Sequence, residues 1–254
     1  MEIAAVQHDI AWQNAAMTTS RLEPLITRAA ATGARLIVLS EMFATGFSMR
    51  PDLVAEPAGG PTEQWLTAQA RQHGAWMVGS IAQWGTDGRA VNVAVLVDPE
   101  GCAHRYEKMH PFTFAGEHEH YQAGDKPLTV DVEGLRTTIF ICYDLRFADE
   151  FWDLAPDTDC YVVVANWPRS RREHWRTLLR ARAIENQAYV VGVNRVGVAE
   201  DVHHTGDSTI VDPLGQTLTE AAHIQTVLSA DVDPAEVRRI RARFPFLADR
   251  RVRP

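Results

Sequence analysis

Cysteine is scarce in this 254-residue chain: Cys102, Cys142 and Cys160 are the only three, and no two stand in a C-x-x-C spacing. An odd set without paired spacing offers neither a disulfide framework nor a thiolate zinc site, and it suits a reducing compartment. Long apolar runs are missing too, since no stretch reaches the roughly 18 residues that span a bilayer. The start, MEIAAVQHDIAW, has no basic segment leading into an apolar core and a small-residue cleavage site. These absences predict a cytoplasmic protein without a membrane partner. Basic charge is in deficit: 25 Lys and Arg face 33 Asp and Glu, for a net charge of −8, which argues against nucleic acid as a partner. Gly-x-Gly patterns are too sparse for a nucleotide cradle and no H-E-x-x-H metal motif occurs, so neither a cofactor nor a metal is expected.

What is present is an ordinary globular composition, 46% hydrophobic and 23% charged, enough for a substantial packed core. Apolar runs at 3–7 and 36–39 read as strands around a helix over about 14–32 that stops at Gly33. A helix at 62–73 and strands at 76–82, 91–97 and 102–107 follow, the last two joined by a D-P-E-G turn. The polar, His-rich and aromatic segment 108–125 breaks the pattern, as functional loops often do. Strands are then predicted at 128–132, 135–141, 160–165, 189–196, 208–211 and 224–231, with helices from 146, at 171–186 and after Pro234. No linker, repeat or low-complexity tract divides the chain, so one α/β domain over 1–254 is expected. So many strands suit two packed sheets between helical layers better than one open sheet.

Cys142 ends an apolar strand and precedes polar Tyr143-Asp144, a place where a nucleophile can be exposed. A lone cysteine is more often a buried structural thiol, the reading kept for Cys102 and Cys160. At the reference pKa of about 8.5 a thiol is only a few per cent ionised near neutrality, so a catalytic one needs a base or a positive field beside it. Glu41, in LIVLSEMFATGF, is a candidate base, against the alternative of a solvated acid at a loop start. Lys108, in YEKMHPF, could hold a developing oxyanion, although a lysine there is ordinarily exposed. His118-Glu119-His120 suggests a metal, yet in a polar loop a solvated cluster is the commoner outcome. A rival metallohydrolase would use Glu41 with His110 or His120. The arginines at 169, 171, 172, 176, 180 and 182, with Trp167 and Trp175 among them, read as helix-surface ion pairs or as one guanidinium facing a small anion.

Glu41, Lys108 and Cys142 taken together resemble the Glu-Lys-Cys triad of the nitrilase superfamily of carbon–nitrogen hydrolases. Six ordered blocks carry the resemblance: LIVLSEMFATGF, YEKMHPF, ICYDLRF, ANWP (165–168), RARAIENQAYVVGVNRVG (180–197) and GDSTIVDPLG (206–215). The later blocks are most similar to the omega-amidase branch. The resemblance implies a four-layer α-β-β-α sandwich, a homodimer, and a small-molecule amide as substrate. It also implies that Cys142 is the nucleophile, Glu41 the base, and Lys108 with the Tyr143 backbone N–H the oxyanion holders. A second glutamate seven residues before a glycine matches Glu117 and Gly124, although Glu119 lies beside it. The implied substrates are terminal amides of short dicarboxylic acids, with Arg171 or Arg146 for the distal carboxylate and Asn166 and Trp167 beside the substrate. N-carbamoyl amino acids, nitriles and other aliphatic amides are handled by the same triad and remain alternatives.

Overall fold

The computed structural model describes residues 1–251; the last three residues of the expected 1–254 domain lie outside the described residues. In chain order the strands are β1 (Glu2–Gln7), β2 (Leu36–Val38), β3 (Glu56–Pro57), β4 (Trp76–Trp84), β5 (Ala90–Val97), β6 (Ala103–Glu107), β7 (Tyr121–Gln122) and β8 (Thr129–Val132). They continue as β9 (Leu135–Ile141), β10 (Cys160–Ala165), β11 (Tyr189–Asn194), β12 (Val196–Ala199), β13 (Val202–Val211), β14 (Thr217–Ala222) and β15 (Thr226–Asp231). The helices are α1 (Ala15–Ala31), α2 (Pro51–Val54), α3 (Pro61–His73), α4 (Glu117–His120), α5 (Ala148–Leu154), α6 (Arg172–Asn186) and α7 (Pro234–Arg243).

Two sheets form, one ordered β15-β1-β2-β4-β5-β6 and the other β12-β13-β11-β10-β9-β8, with β3, β7 and β14 attached at their margins. Period-two alternation explains how they stack. In β1, Ile3 and Ala5 join a core shared with Val162, Val164 and Ile139 of the second sheet, while Ala4 and Val6 face Leu22, Leu25 and Ile26 of α1. α1 starts at Asn14, whose side chain accepts from the Met17 N–H at 3.0 Å, and the chain leaves it through Gly33 at φ +85°. On the other side α6 buries Trp175, Leu179 and Ala183, one helical stripe, against β11 and β13. The result is the expected α-β-β-α sandwich.

Two local expectations need correction. The strand predicted over 189–196 stops at Asn194, because the Asn194 Nδ2 donates to the carbonyls of Trp167 (3.0 Å) and Gly206 (2.8 Å) and turns the chain out of line. A hairpin of β12 and β13 follows, extending the strand predicted at 208–211 back to Val202. Buried backbone groups of β13 find partners from outside the hairpin: the Ser208 N–H donates to Gln7 Oε1 at 3.0 Å. The segment 108–125 is likewise not wholly irregular, since it contains α4 and β7.

What matters for the site is a shared edge. β2 and β6 of one sheet and β9 and β10 of the other all end there, and the chain delivers Glu41, Lys108, Cys142 and Asn166 just past those ends. Carboxyl ends of parallel strands are where α/β proteins place ligands.

Candidate active site

Lys108 is the hub. Its Nζ lies 2.9 Å from Glu41 Oε1 and 2.8 and 3.0 Å from the two oxygens of Glu117, and all three side chains are sealed from solvent. Burial alone would discharge the lysine, but the Glu117 and Glu41 carboxylates outweigh it and hold the ammonium above the ordinary lysine range. The Glu117 carboxyl is pushed up, by burial first, with Lys108 opposing the rise. Asn92 of β5 braces both acids, its Nδ2 donating to Glu41 Oε1 at 2.9 Å and to Glu117 Oε1 at 3.3 Å. Phe47 covers the ammonium with its ring centroid 5.0 Å from Nζ.

Glu41 is fixed at its other oxygen and at its backbone by the second sheet. The Asn166 N–H donates to Glu41 Oε2 at 2.8 Å and the Asn166 Nδ2 donates to the Glu41 carbonyl. Asn166 therefore holds the acid as well as lining the cleft.

Cys142 sits at the first position of a 3₁₀ turn over Cys142–Arg146 with φ +45°, a conformation that a side chain tolerates only when its surroundings impose it. The turn is pinned on two sides. Asp144, fully buried, accepts from the Ile141 N–H at 2.9 Å, and Arg182 of α6 donates to the Leu145 carbonyl through Nη2 at 2.7 Å and Nε at 3.1 Å. The leading N–H groups of such a turn have no partner inside it, so they are available to a ligand oxygen. Burial first, then the Glu41 charge, pushes the Cys142 thiol well above the ordinary range, with Lys108 pulling the other way. The resting sulfur is a thiol, and its proton needs an acceptor.

Above the sulfur opens a cleft of about 370 Å³ whose lining includes Cys142, Tyr143, Asn166, Trp167, Arg146 and Arg171. Arg171 rests its guanidinium against Phe112 (5.1 Å) and Phe114 (5.9 Å), and Arg146 rests on Trp167 (4.9 Å) with Nη2 3.0 Å from His174 Nδ1. Neither guanidinium has a carboxylate partner among the described residues. Burial first, then repulsion from Arg146, lowers the Arg171 pKa.

The family model for carbon-nitrogen hydrolases matches residues 2–242. The chain belongs to the carbon-nitrogen hydrolase family. As a member it is a hydrolase of carbon–nitrogen bonds, and the nitrilase-type resemblance of its sequence is borne out. Omega-amidase YafV of Escherichia coli (strain K12) is 39% identical to this carbon-nitrogen hydrolase over 251 residues, 98% of this chain and 96% of that protein. The 2-oxoglutaramate amidase of Bacillus subtilis (strain 168) is 30% identical over 252 residues, 97% and 96% of the two chains. In three dimensions the chain is similar to XC1258 of Xanthomonas campestris, a CN-hydrolase superfamily protein solved with an arsenic adduct in its active site. The TM-score is 0.95 at 36% identity, covering 100% of this chain and 98% of that one.

Within this carbon-nitrogen hydrolase Glu41, Lys108, Cys142, Glu117, Tyr143, Asn166, Trp167 and Arg171 lie together at the one strand edge, and the two loop acids differ in position. Glu117 is buried on Lys108, whereas Glu119, His118 and His120 are exposed. His110 points to Asp144 at 3.0 Å instead of Glu41. Asn92, Asp144 and Arg182 were not anticipated. The one available signal was polarity out of place, as in Asn92 within the apolar run AVNVAVLV.

Proposed function

We propose that this enzyme is an omega-amidase, hydrolysing the terminal amide of a short dicarboxylic acid monoamide such as 2-oxoglutaramate to the dicarboxylate and ammonia. The observation that carries the reading is the pair of uncompensated guanidinium groups, Arg146 and Arg171, in the same cleft as Cys142. A substrate with an anionic far end supplies the missing counter-ion, and guanidinium accepts a carboxylate in paired hydrogen bonds. The names of the two amidase relatives support the same class.

In this reading Cys142, Glu41 and Lys108 are the catalytic residues. Glu41 takes the thiol proton as the Cys142 Sγ attacks the amide carbon. The carbonyl oxygen gains the negative charge, and the Lys108 ammonium with the Tyr143 N–H stabilises it. Glu41 passes its proton to the amide nitrogen, the C–N bond breaks, ammonia leaves and a thioester remains on Cys142. Water then gives a proton to Glu41 and attacks the thioester carbon. Collapse releases the carboxylic acid, and the Glu41 proton returns to the sulfur. Glu117 keeps the ammonium oriented and charged throughout, because its carboxylate holds Lys108 at two points. Tyr143, Asn166, Trp167 and Arg171 complete the substrate-binding surface.

The single domain, the cytoplasmic location and the homodimer belong to the same proposal. Exposed apolar Ile184 on α6 with Leu214 and Leu218 gives the outer face of the second sheet's helical layer a surface suited to a second copy.

The test is ammonia release from 2-oxoglutaramate, succinamate, glutamine, N-carbamoyl amino acids and simple nitriles, with wild type and Cys142→Ala. Turnover confined to wild type and to the dicarboxylic monoamides is expected. Turnover surviving in Cys142→Ala would refute the thioester route, and preference for a nitrile or carbamoyl substrate would refute the substrate class.

A further inference from the structure

Tyr106 and His110 flank Lys108 at two residues on either side, and both reach the same carboxylate across the gap between the sheets. The Tyr106 hydroxyl donates to Asp144 Oδ2 at 2.8 Å. The His110 N–H donates to Asp144 Oδ1 at 3.0 Å, and the His110 Nδ1 lies 3.0 Å from that oxygen. Asp144 is the third residue of the turn that begins with Cys142, and its Oδ2 also accepts from the Ile141 N–H at 2.9 Å. One sealed carboxylate thus collects donors from the chain just before Lys108, the chain just after it, and the chain just before Cys142. The His110 ring is seated by stacking on Phe147, the residue that closes the turn, with centroids 3.6 Å apart and planes inclined by 11°.

We propose that Tyr106, Asp144 and His110 form a clasp that positions Lys108 against the Cys142 turn, so that ammonium and turn N–H groups converge on one oxyanion site. The bonds of Asn166 to Glu41 tie the acid beside Lys108 to the end of β10, but they do not reach the Cys142 turn, which the clasp joins to the chain on both sides of Lys108. Lys108 is bonded to Glu41 and Glu117, which hang from the first sheet and the 108–125 segment, whereas Cys142 ends β9 of the second. The packing between the sheets is largely apolar and fixes their separation, and it is hydrogen bonds that supply the direction needed to set an ammonium to within a few tenths of an ångström. A carboxylate with four hydrogen-bonding contacts supplies direction, and its buried charge makes each of them stronger than a neutral bond. Tyr106 and His110 are bonded to Asp144 and not to Glu41, Lys108 or Cys142, so both are positioning residues, acting through Lys108 and the turn.

The proposal rests on the roles given above to Lys108 and Cys142, and activity of the wild type with its loss in Cys142→Ala checks those roles separately. The experiment is steady-state ammonia release by Tyr106→Phe, which deletes one hydroxyl, by His110→Phe, which keeps a ring to stack on Phe147, and by His110→Asn, whose Nδ2 can replace the Nδ1 donor. Loss of a hydrogen bond to a charged group predicts a fall in kcat of about tenfold or more in Tyr106→Phe and His110→Phe. KM should stay within about twofold, because the groups that bind the ground state are untouched. His110→Asn should regain most of the lost kcat. A role confined to folding stability would lower Tm and the fraction of active enzyme in all three, His110→Asn included, and would leave kcat unchanged once it is counted per iodoacetamide-reactive Cys142. That pattern, or full kcat in both phenylalanine variants, would overturn the proposal.

Discussion

Replacing Arg171 by methionine removes the guanidinium while keeping an unbranched apolar stem against Phe112 and Phe114. If the guanidinium receives the distal carboxylate of the substrate, its removal costs a charge-assisted hydrogen-bonded contact, about 1.5–3 kcal/mol. That range is about 10- to 150-fold in kcat/KM. Two features of the cleft set the position within it. Arg146 lies close enough to repel Arg171, so its charge remains to attract the substrate, and the half-buried setting of Arg171 leaves water to take over part of the contact. Both push the loss towards the lower end, about 10- to 30-fold. The assay is ammonia release from succinamate against butyramide, which have the same chain length and differ in the terminal charge. The loss should fall on succinamate and be carried by KM, with butyramide changed by less than about twofold. Arg171→Lys should lie between, since it keeps the charge and loses the planar fork. Equal losses on both amides would refute the carboxylate contact and reduce Arg171 to a packing residue of the cleft rim.

Three other outcomes are expected. In Glu117→Gln the Cys142 thiol loses a nearby negative charge, so the pH midpoint for its alkylation by iodoacetamide should shift down, while kcat falls as Lys108 is left to Glu41 alone; an upward or absent shift would contradict the assigned charge coupling. Gly192→Ala would drive a methyl group into α6, within 2.8 Å of Leu179 Cδ2 and 3.1 Å of Trp175 Cζ2, and should cost about 1–3 kcal/mol in urea unfolding. His204 is buried beside Arg195, which together push its pKa down to about 3 from the ordinary 6.5. The unfolded chain then takes up a proton below pH 6.5 that the folded protein refuses until about pH 3, so stability falls as pH drops through that window, by up to about 1.4 kcal/mol per pH unit. His204→Gln should flatten the acid limb of a Tm-against-pH curve, and an unchanged limb would locate the acid sensitivity elsewhere.

Regular elements were legible where one physical signal decided them. The β1 run alternates between two apolar environments, and α1 carries both a capping asparagine and a terminating glycine. The β12–β13 hairpin was not legible, because β12 is only the four residues VGVA and the first eight residues of β13 are mostly polar. VHHTGDST reads as a loop until Gln7, Asn194 and Trp175 are brought up to satisfy its buried groups, as when the Trp175 Nε1 donates to the Asp207 carbonyl at 2.8 Å. Strand propensity is a statement about surroundings, and here the surroundings arrive from 200 residues away, as the Ser208 to Gln7 bond shows.

The site divides along the same line. Glu41, Lys108 and Cys142 could be read because each follows a strand, and a strand end in an α/β chain already states which edge it occupies. What the three do to one another could not. A buried lysine loses its charge unless acids face it, and a buried thiol keeps its proton unless a base is near; the local sequence of each residue is silent on both. Those answers come from Asn92 in the same sheet as Glu41, from Asn166 past the end of β10 in the other sheet, and from Asp144 inside the Cys142 turn, amides and an acid that hold Glu41, Glu117 and that turn. Their signal in the sequence was a polar residue where a core residue belonged. Such a residue costs stability unless it is paired, and here the partners of the two amide Nδ2 groups and of the Asp144 carboxylate are the reacting groups and their supports. The same bonds that make these residues tolerable in the core therefore also fix the geometry of the cleft floor, which makes stability and preorganisation one property in this fold.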